Sequence, residues 1–130
     1  MTGHPVLFRA DAYGEIGLGH LKRCLAMAEA LRAEGTDCAF LCLDDGAARE
    51  TLGPRDFAVE WLAGRVNEGN DSAETLAAAG SLATPGAVIV VDSYGADQPY
   101  FGTLRDAGLK TVYCDDFCRT DWRVDGVVNG

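Results

Sequence analysis

The residues of this chain best placed to do chemistry stand together in Arg9-Ala-Asp-Ala-Tyr-Gly-Glu-Ile-Gly-Leu-Gly-His-Leu-Lys-Arg23. Gly14, Gly17 and Gly19 let the backbone turn sharply and approach a ligand closely. A helix that begins at such a turn presents unpaired N–H groups and the positive end of its dipole, which suits an anion. His20 stands in that opening, with Lys22 and Arg23 in the same turn and Arg9 before it. Imidazole exchanges protons near neutral pH, so His20 is the candidate general base. His4 has no such neighbours and reads as part of a solvated terminus.

Further candidates follow at Asp92-Ser-Tyr94-Gly95, Asp115-Asp116 and Asn129. Taken alone, Tyr94 reads more readily as a residue capping the sheet edge, Asp92 as a helix cap and Asp115-Asp116 as turn formers. The elements that carry them decide the matter.

Residues 6–10 form an apolar run that reads as a buried strand. The helix after Gly19 has apolar residues at Leu21, Cys24, Leu25, Ala28 and Leu31, one face at helical spacing, with Gly35 as its C-cap. Residues 38–43 are the next strand, 47–52 a short helix stopped by Gly53-Pro54, and 57–62 a third strand. Asp71-Ser72 caps a helix to about Leu82. Residues 87–92 are a continuous β-branched run, the pattern of a strand covered on both faces. A helix over 97–106 and strands over 110–115 and 124–129 complete the chain. The alternation predicts an α/β fold: a Rossmann-like parallel sheet with right-handed crossovers and helices on both faces. Ligands of such sheets bind outside the carboxyl ends of the strands. Arg9 to Asp11, Asp92 to Tyr94, Asp115-Asp116 and Asn129 lie at those ends, and with His20 they are expected to share one edge.

At 130 residues the chain reads as one domain, residues 1–130. Its 11 basic and 20 acidic residues give a net charge of −9, which argues against nucleic acid or an anionic membrane as partner. No apolar stretch approaches the roughly 18 residues that span a bilayer. Met1 to Pro5 leads directly into the first strand, the start expected of a cytoplasmic chain. The five cysteines, Cys24, Cys38, Cys42, Cys114 and Cys118, are then expected as reduced thiols. Cys38 and Cys42 lie in a strand pattern about 13 Å apart at roughly 3.3 Å per residue, too far for a disulfide. We expect no zinc, no other metal and no cofactor. A dinucleotide site fits poorly, although Asp44 or Asp45 stands where a ribose carboxylate would. The glycines run Gly14-x-x-Gly17-x-Gly19, the reverse of the fingerprint, and Lys22 occupies its third position counted from Gly17.

Arg9-Ala-Asp11, Gly17-Leu-Gly19-His20-Leu-Lys-Arg23, Asp92-Ser-Tyr94-Gly95, Asp115-Asp116 and Val128-Asn129 together resemble one family over essentially the whole chain. These are the UDP-sugar hydrolases of pseudaminic-acid biosynthesis, which release UDP from UDP-2,4-diacetamido-2,4,6-trideoxy-β-L-altropyranose. The family is similar in fold to the peptidoglycan N-acetylglucosaminyltransferase, a two-domain GT-B architecture, and the chain resembles its N-terminal half. The resemblance implies that His20 is the catalytic base toward the attacking water. Gly19 and the helix N-terminus would face the phosphates, with Tyr94 lining the sugar pocket. Arg9, Asp11, Gly17, Lys22, Arg23, Asp92, Asp115 and Asn129 complete the implied substrate-binding set. The UDP-sugar is the implied partner, and the family's nucleotide-binding second domain, absent here, would join in cis or in trans. The alternatives are the acceptor-side domain of a related GT-B glycosyltransferase and a non-catalytic domain that binds alone.

Overall fold

The computed structural model describes residues 5–13, 17–82, 86–114 and 126–128. Strand β1 (Val6–Ala10) leads to helix α1 (Gly19–Ala33), β2 (Cys38–Leu43), α2 (Gly46–Leu52) and a one-turn 3-10 helix, Gly53–Arg55. Then come β3 (Ala58–Leu62), α3 (Asp71–Leu82), β4 (Val88–Asp92), α4 (Gln98–Asp106), β5 (Lys110–Cys114) and β6 (Gly126–Val128). The strands form one sheet in the order β3-β2-β1-β4-β5-β6, every pair parallel. Successive strands step outward from β1 to β3, and the chain then returns to lay β4 on the other side of β1. The order therefore reverses between β1 and β4, the switch point beyond whose carboxyl ends ligands of such sheets bind. Register places Ala10 beside Asp92 there.

The sheet is covered on both faces, as the β-branched strands require. Strand side chains alternate between faces, so Leu7, Leu41, Ile89 and Val91 pack with α3 and α4 through Ala78, Phe101 and Leu104. Phe8, Phe40 and Val90 pack with α1 and α2 through Leu21, Leu25, Ala48 and Leu52. Cys24, Cys38, Cys42 and Cys114 belong to this second core and are free thiols that behave as small hydrophobes. Burial pushes the thiols of Cys24, Cys38 and Cys42 upward, that of Cys42 to about 12.

The helix ends follow local chemistry. Gly35 takes a left-handed φ of 92°, and the next amide, on Thr36, reaches back to Leu31 O at 3.0 Å, closing α1 where expected. Asp45 caps α2 by accepting from the amides of Ala47 and Ala48, and Asp97 caps α4 by accepting from Tyr100 N. Asp44 pairs with Arg49 at 2.6 Å. Asp71, expected as a cap, instead lies inside the first turn of α3 and turns into the core. Among the described residues, no helix is long and apolar enough to cross a membrane.

Candidate functional site

Gly17 holds φ at 65°, a left-handed value that a side chain disfavours. Its amide donates to Tyr13 O at 2.8 Å, folding the end of β1 back toward the start of α1. Among the described residues no side chain caps α1, and its first turn holds no acidic residue. Gly17, Gly19 and Lys22 are exposed there. Among the described residues, the first turn is thus left without a side-chain cap and has the Lys22 ammonium nearby.

His20 and Arg23, three residues apart, share the face of α1 that meets β4. In β4, Val90 and Asp92 point toward α1, whereas Ile89 and Val91 point toward α3 and α4. Asp92, the last strand residue, therefore meets His20: Nδ1 lies 2.6 Å from Asp92 Oδ1. Arg23 donates from Nε to Oδ2 and from Nη2 to Oδ1, both at 2.6 Å. The imidazole also meets Tyr94 edge-on, with ring centroids 4.6 Å apart at 80°. Asp92 is 1% exposed and His20 7%, whereas Tyr94 is 56% exposed. The arrangement is a graded path from a buried carboxylate through an imidazole to an open aromatic.

Gly95 explains the last residue of the Asp92-Ser-Tyr-Gly motif. A Cβ on it would stand 2.9 Å from Val66 O, and its own carbonyl accepts from Asn67 Nδ2 at 3.0 Å. The β3–α3 loop is thereby pressed against the β4–α4 turn beside the site. Arg65 of the same loop lies over the Tyr13 ring, 3.7 Å from its centroid.

Arg9 and Asp11 go elsewhere. They share the face of Leu7, opposite to Asp92, and close a buried cluster with Asp71. Arg9 pairs with Asp11 and, at 2.7 Å, with Asp71, and it donates to Gly64 O at 2.9 Å and Leu41 O at 3.3 Å. Asp11 accepts from Leu43 N and Val66 N, both at 2.9 Å. Asp71 accepts from Asn67 N at 2.9 Å, Tyr100 Oη at 2.8 Å and Thr75 Oγ1 at 3.2 Å. Burial works against the Arg9 charge, but Asp11 and Asp71 outweigh it and raise its pKa. With Arg9 0% and Asp11 2% exposed, both are internal ties that anchor the β3–α3 loop, in place of the ligand contacts expected from sequence. Asp92 and Arg23 likewise hold each other and His20. The structure brings His20, Arg23, Asp92 and Tyr94 together with Gly17, Gly19 and Lys22 at the same edge. Asp115 and Asn129 lie outside the described residues, as do Gly14, Asp116 and Cys118. Sequence reading gave Asp71 only a capping role and missed Thr75 and Tyr100; the one available signal was the common strand parity of Leu7, Arg9 and Asp11.

Neither a family model nor a curated protein sequence matches this chain. The fold has a solved counterpart in MurG of Acinetobacter baumannii. The superposition has a TM-score of 0.64 at 15% identity and covers 91% of this chain and 37% of MurG. MurG is a GT-B glycosyltransferase. The chain therefore shares a Rossmann-like fold with part of MurG and spans little more than a third of that neighbour's length.

Proposed function

We propose that this chain is the base-bearing half of a two-domain nucleotide-sugar enzyme, in which His20 takes the proton of the nucleophile. The supporting observation is the position of His20: first turn of α1, carboxyl edge, beside the strand-order reversal, edge-on to exposed Tyr94. In the hydrolytic reading, a water oxygen bonds to the anomeric carbon as the bond to the diphosphate breaks. His20 accepts the water's proton, and UDP leaves with the electron pair. The N–H groups at the uncapped start of α1, with Lys22, meet the charge developing on the diphosphate. Tyr94 stacks on or borders the sugar. By the sequence resemblance, the substrate is UDP-2,4-diacetamido-2,4,6-trideoxy-β-L-altropyranose, and a nucleotide-binding domain acts in cis or in trans.

The test is UDP release from this sugar nucleotide, by the chain alone and with a second domain present. The pair is expected to turn over, with His20→Ala reducing the rate roughly 10²–10⁴-fold. The chain alone is expected to be far slower, because orientation of the anomeric carbon can contribute about 7–11 kcal/mol. Unchanged turnover by His20→Ala removes His20 from the mechanism. The likeness to MurG favours a second reading, the acceptor side of a GT-B glycosyltransferase, where the same imidazole deprotonates an acceptor hydroxyl. Free sugar beside UDP decides for hydrolysis; a glycosylated acceptor decides for transfer.

A further inference from the structure

We propose that Asp92, clamped by Arg23, is a positioning residue that holds His20 as its Nδ1–H tautomer and leaves Nε2 as the proton-accepting nitrogen. The inference rests on the reading of His20 as the base and assigns Asp92 and Arg23 a role other than touching substrate.

Three features carry it. First, Asp92 is not open to a ligand: it is 1% exposed, and both oxygens are occupied. Oδ1 serves His20 Nδ1 and Arg23 Nη2, Oδ2 serves Arg23 Nε, and Cys24 Sγ stands 4.0 Å from Oδ2. Second, an ionised carboxylate only accepts hydrogen bonds, so the 2.6 Å contact requires the proton on Nδ1. In the neutral ring the lone pair then belongs to Nε2. Third, the guanidinium grips the carboxylate through two nitrogens, which fixes its plane as well as its charge. Asp92 cannot rotate away from the imidazole without losing both contacts. A carboxylate that served packing alone would need neither the imidazole contact nor this fixed plane.

The direct readout is the nitrogen NMR spectrum of protein labelled with [15N]histidine, at a pH where the rings are neutral. The chain has two histidines, and His4→Gln assigns them. The expected result for His20 is a protonated Nδ1 and an unprotonated Nε2. Asp92→Ala removes the acceptor facing Nδ1, and both His20 tautomers are then expected. Arg23→Lys keeps the charge but loses the two-point grip, and both tautomers are then expected. An Nε2–H or mixed His20 in the unaltered chain overturns the proposal, and that measurement needs no variant to fold. An Nδ1–H tautomer retained as the single form in folded Asp92→Ala also overturns it. In the two-domain enzyme, Asp92→Ala is expected to lower kcat about 10²–10⁴-fold with KM little changed; an unchanged kcat refutes the positioning role. Lack of UDP-sugar turnover by the unaltered enzyme counts against the hydrolase reading alone, because the tautomer is measured without substrate.

Discussion

Replacing Arg9 by methionine tests whether the cluster on the α3 side is an internal tie. Methionine keeps much of the stem volume and removes the guanidinium, so Asp11 and Asp71 remain buried without their cation. Arg9 and Asp71 have side chains 0% exposed and Asp11 2%, so water cannot substitute. Breaking a buried pair by removing one partner typically destabilises by about 3–5 kcal/mol. Domains of this size are stable by about 5–15 kcal/mol, so the loss is a large fraction of the total. At about 3–5 °C per kcal/mol, the Tm falls by roughly 10–25 °C. Thermal melts followed by circular dichroism measure that fall, and urea melts measure the free-energy loss, with the denaturant slope as the check on two-state behaviour. The companion is Arg9→Met with Asp71→Leu, which removes both charges of one pair. Because the penalty belongs to the orphaned carboxylate, the double variant is expected to lose at least about 1 kcal/mol less than the sum of the singles. A loss below about 1 kcal/mol for Arg9→Met, or strict additivity in the cycle, refutes the assignment.

Gly17→Ala is expected to lose about 1–2 kcal/mol, because φ is 65° and open space leaves backbone strain as the sole penalty. Gly17→Asn should lose less, and equal melts for both would contradict the strain account. Gly95→Ala brings a methyl to 2.9 Å from Val66 O and should lower stability by about 1–3 kcal/mol; an unchanged Tm would show that the loop yields freely. Alkaline stability follows from Cys42, whose pKa burial raises from 9.0 to about 12. The unfolded chain binds fewer protons in that window, so stability is full below pH 9 and falls as pH rises toward about 12. Urea midpoints across this window should decline, and the decline should flatten in Cys42→Ala; equal slopes would remove Cys42 as a cause.

Local chemistry was legible wherever one residue type has one good use. The β-branched run before Asp92, the helical spacing from Leu21 to Ala28 and the glycine past α1 each specified their element without tertiary help. His20 and Tyr94 were readable as edge residues, because a strand end followed by a turn has few other places to go. Arg9 and Asp11 looked the same on paper and were read as ligand contacts. What separates them from Asp92 is phase: Arg9 continues the Leu7 row into α3, and Asp92 continues the Val90 row into α1. That phase matters only once helices are assigned to faces, which depends on pairings far apart in sequence. Asp71 and Tyr100, the partners that neutralise the reading of Arg9, stand 62 and 91 residues away from it.

The two faces of the sheet carry the same device with opposite outlets. On each, an arginine compensates buried carboxylate charge: Arg9 for Asp11 past the end of β1 and Asp71 in the first turn of α3, Arg23 for Asp92 at the end of β4. The first cluster is sealed, with every carboxylate oxygen bonded to Arg9, to an amide or to a hydroxyl of the same core. It can anchor the β3–α3 loop but cannot exchange a proton with anything outside. The second is open at one end, because Arg23 is 27% exposed and the imidazole leads to a tyrosine that is 56% exposed. A substrate needs access and a base needs a fixed orientation, and only the Asp92 side combines them. Evolutionary or engineered change at Arg9 should therefore alter stability and loop placement, whereas change at Arg23 or Asp92 should alter the protonation geometry of His20 first.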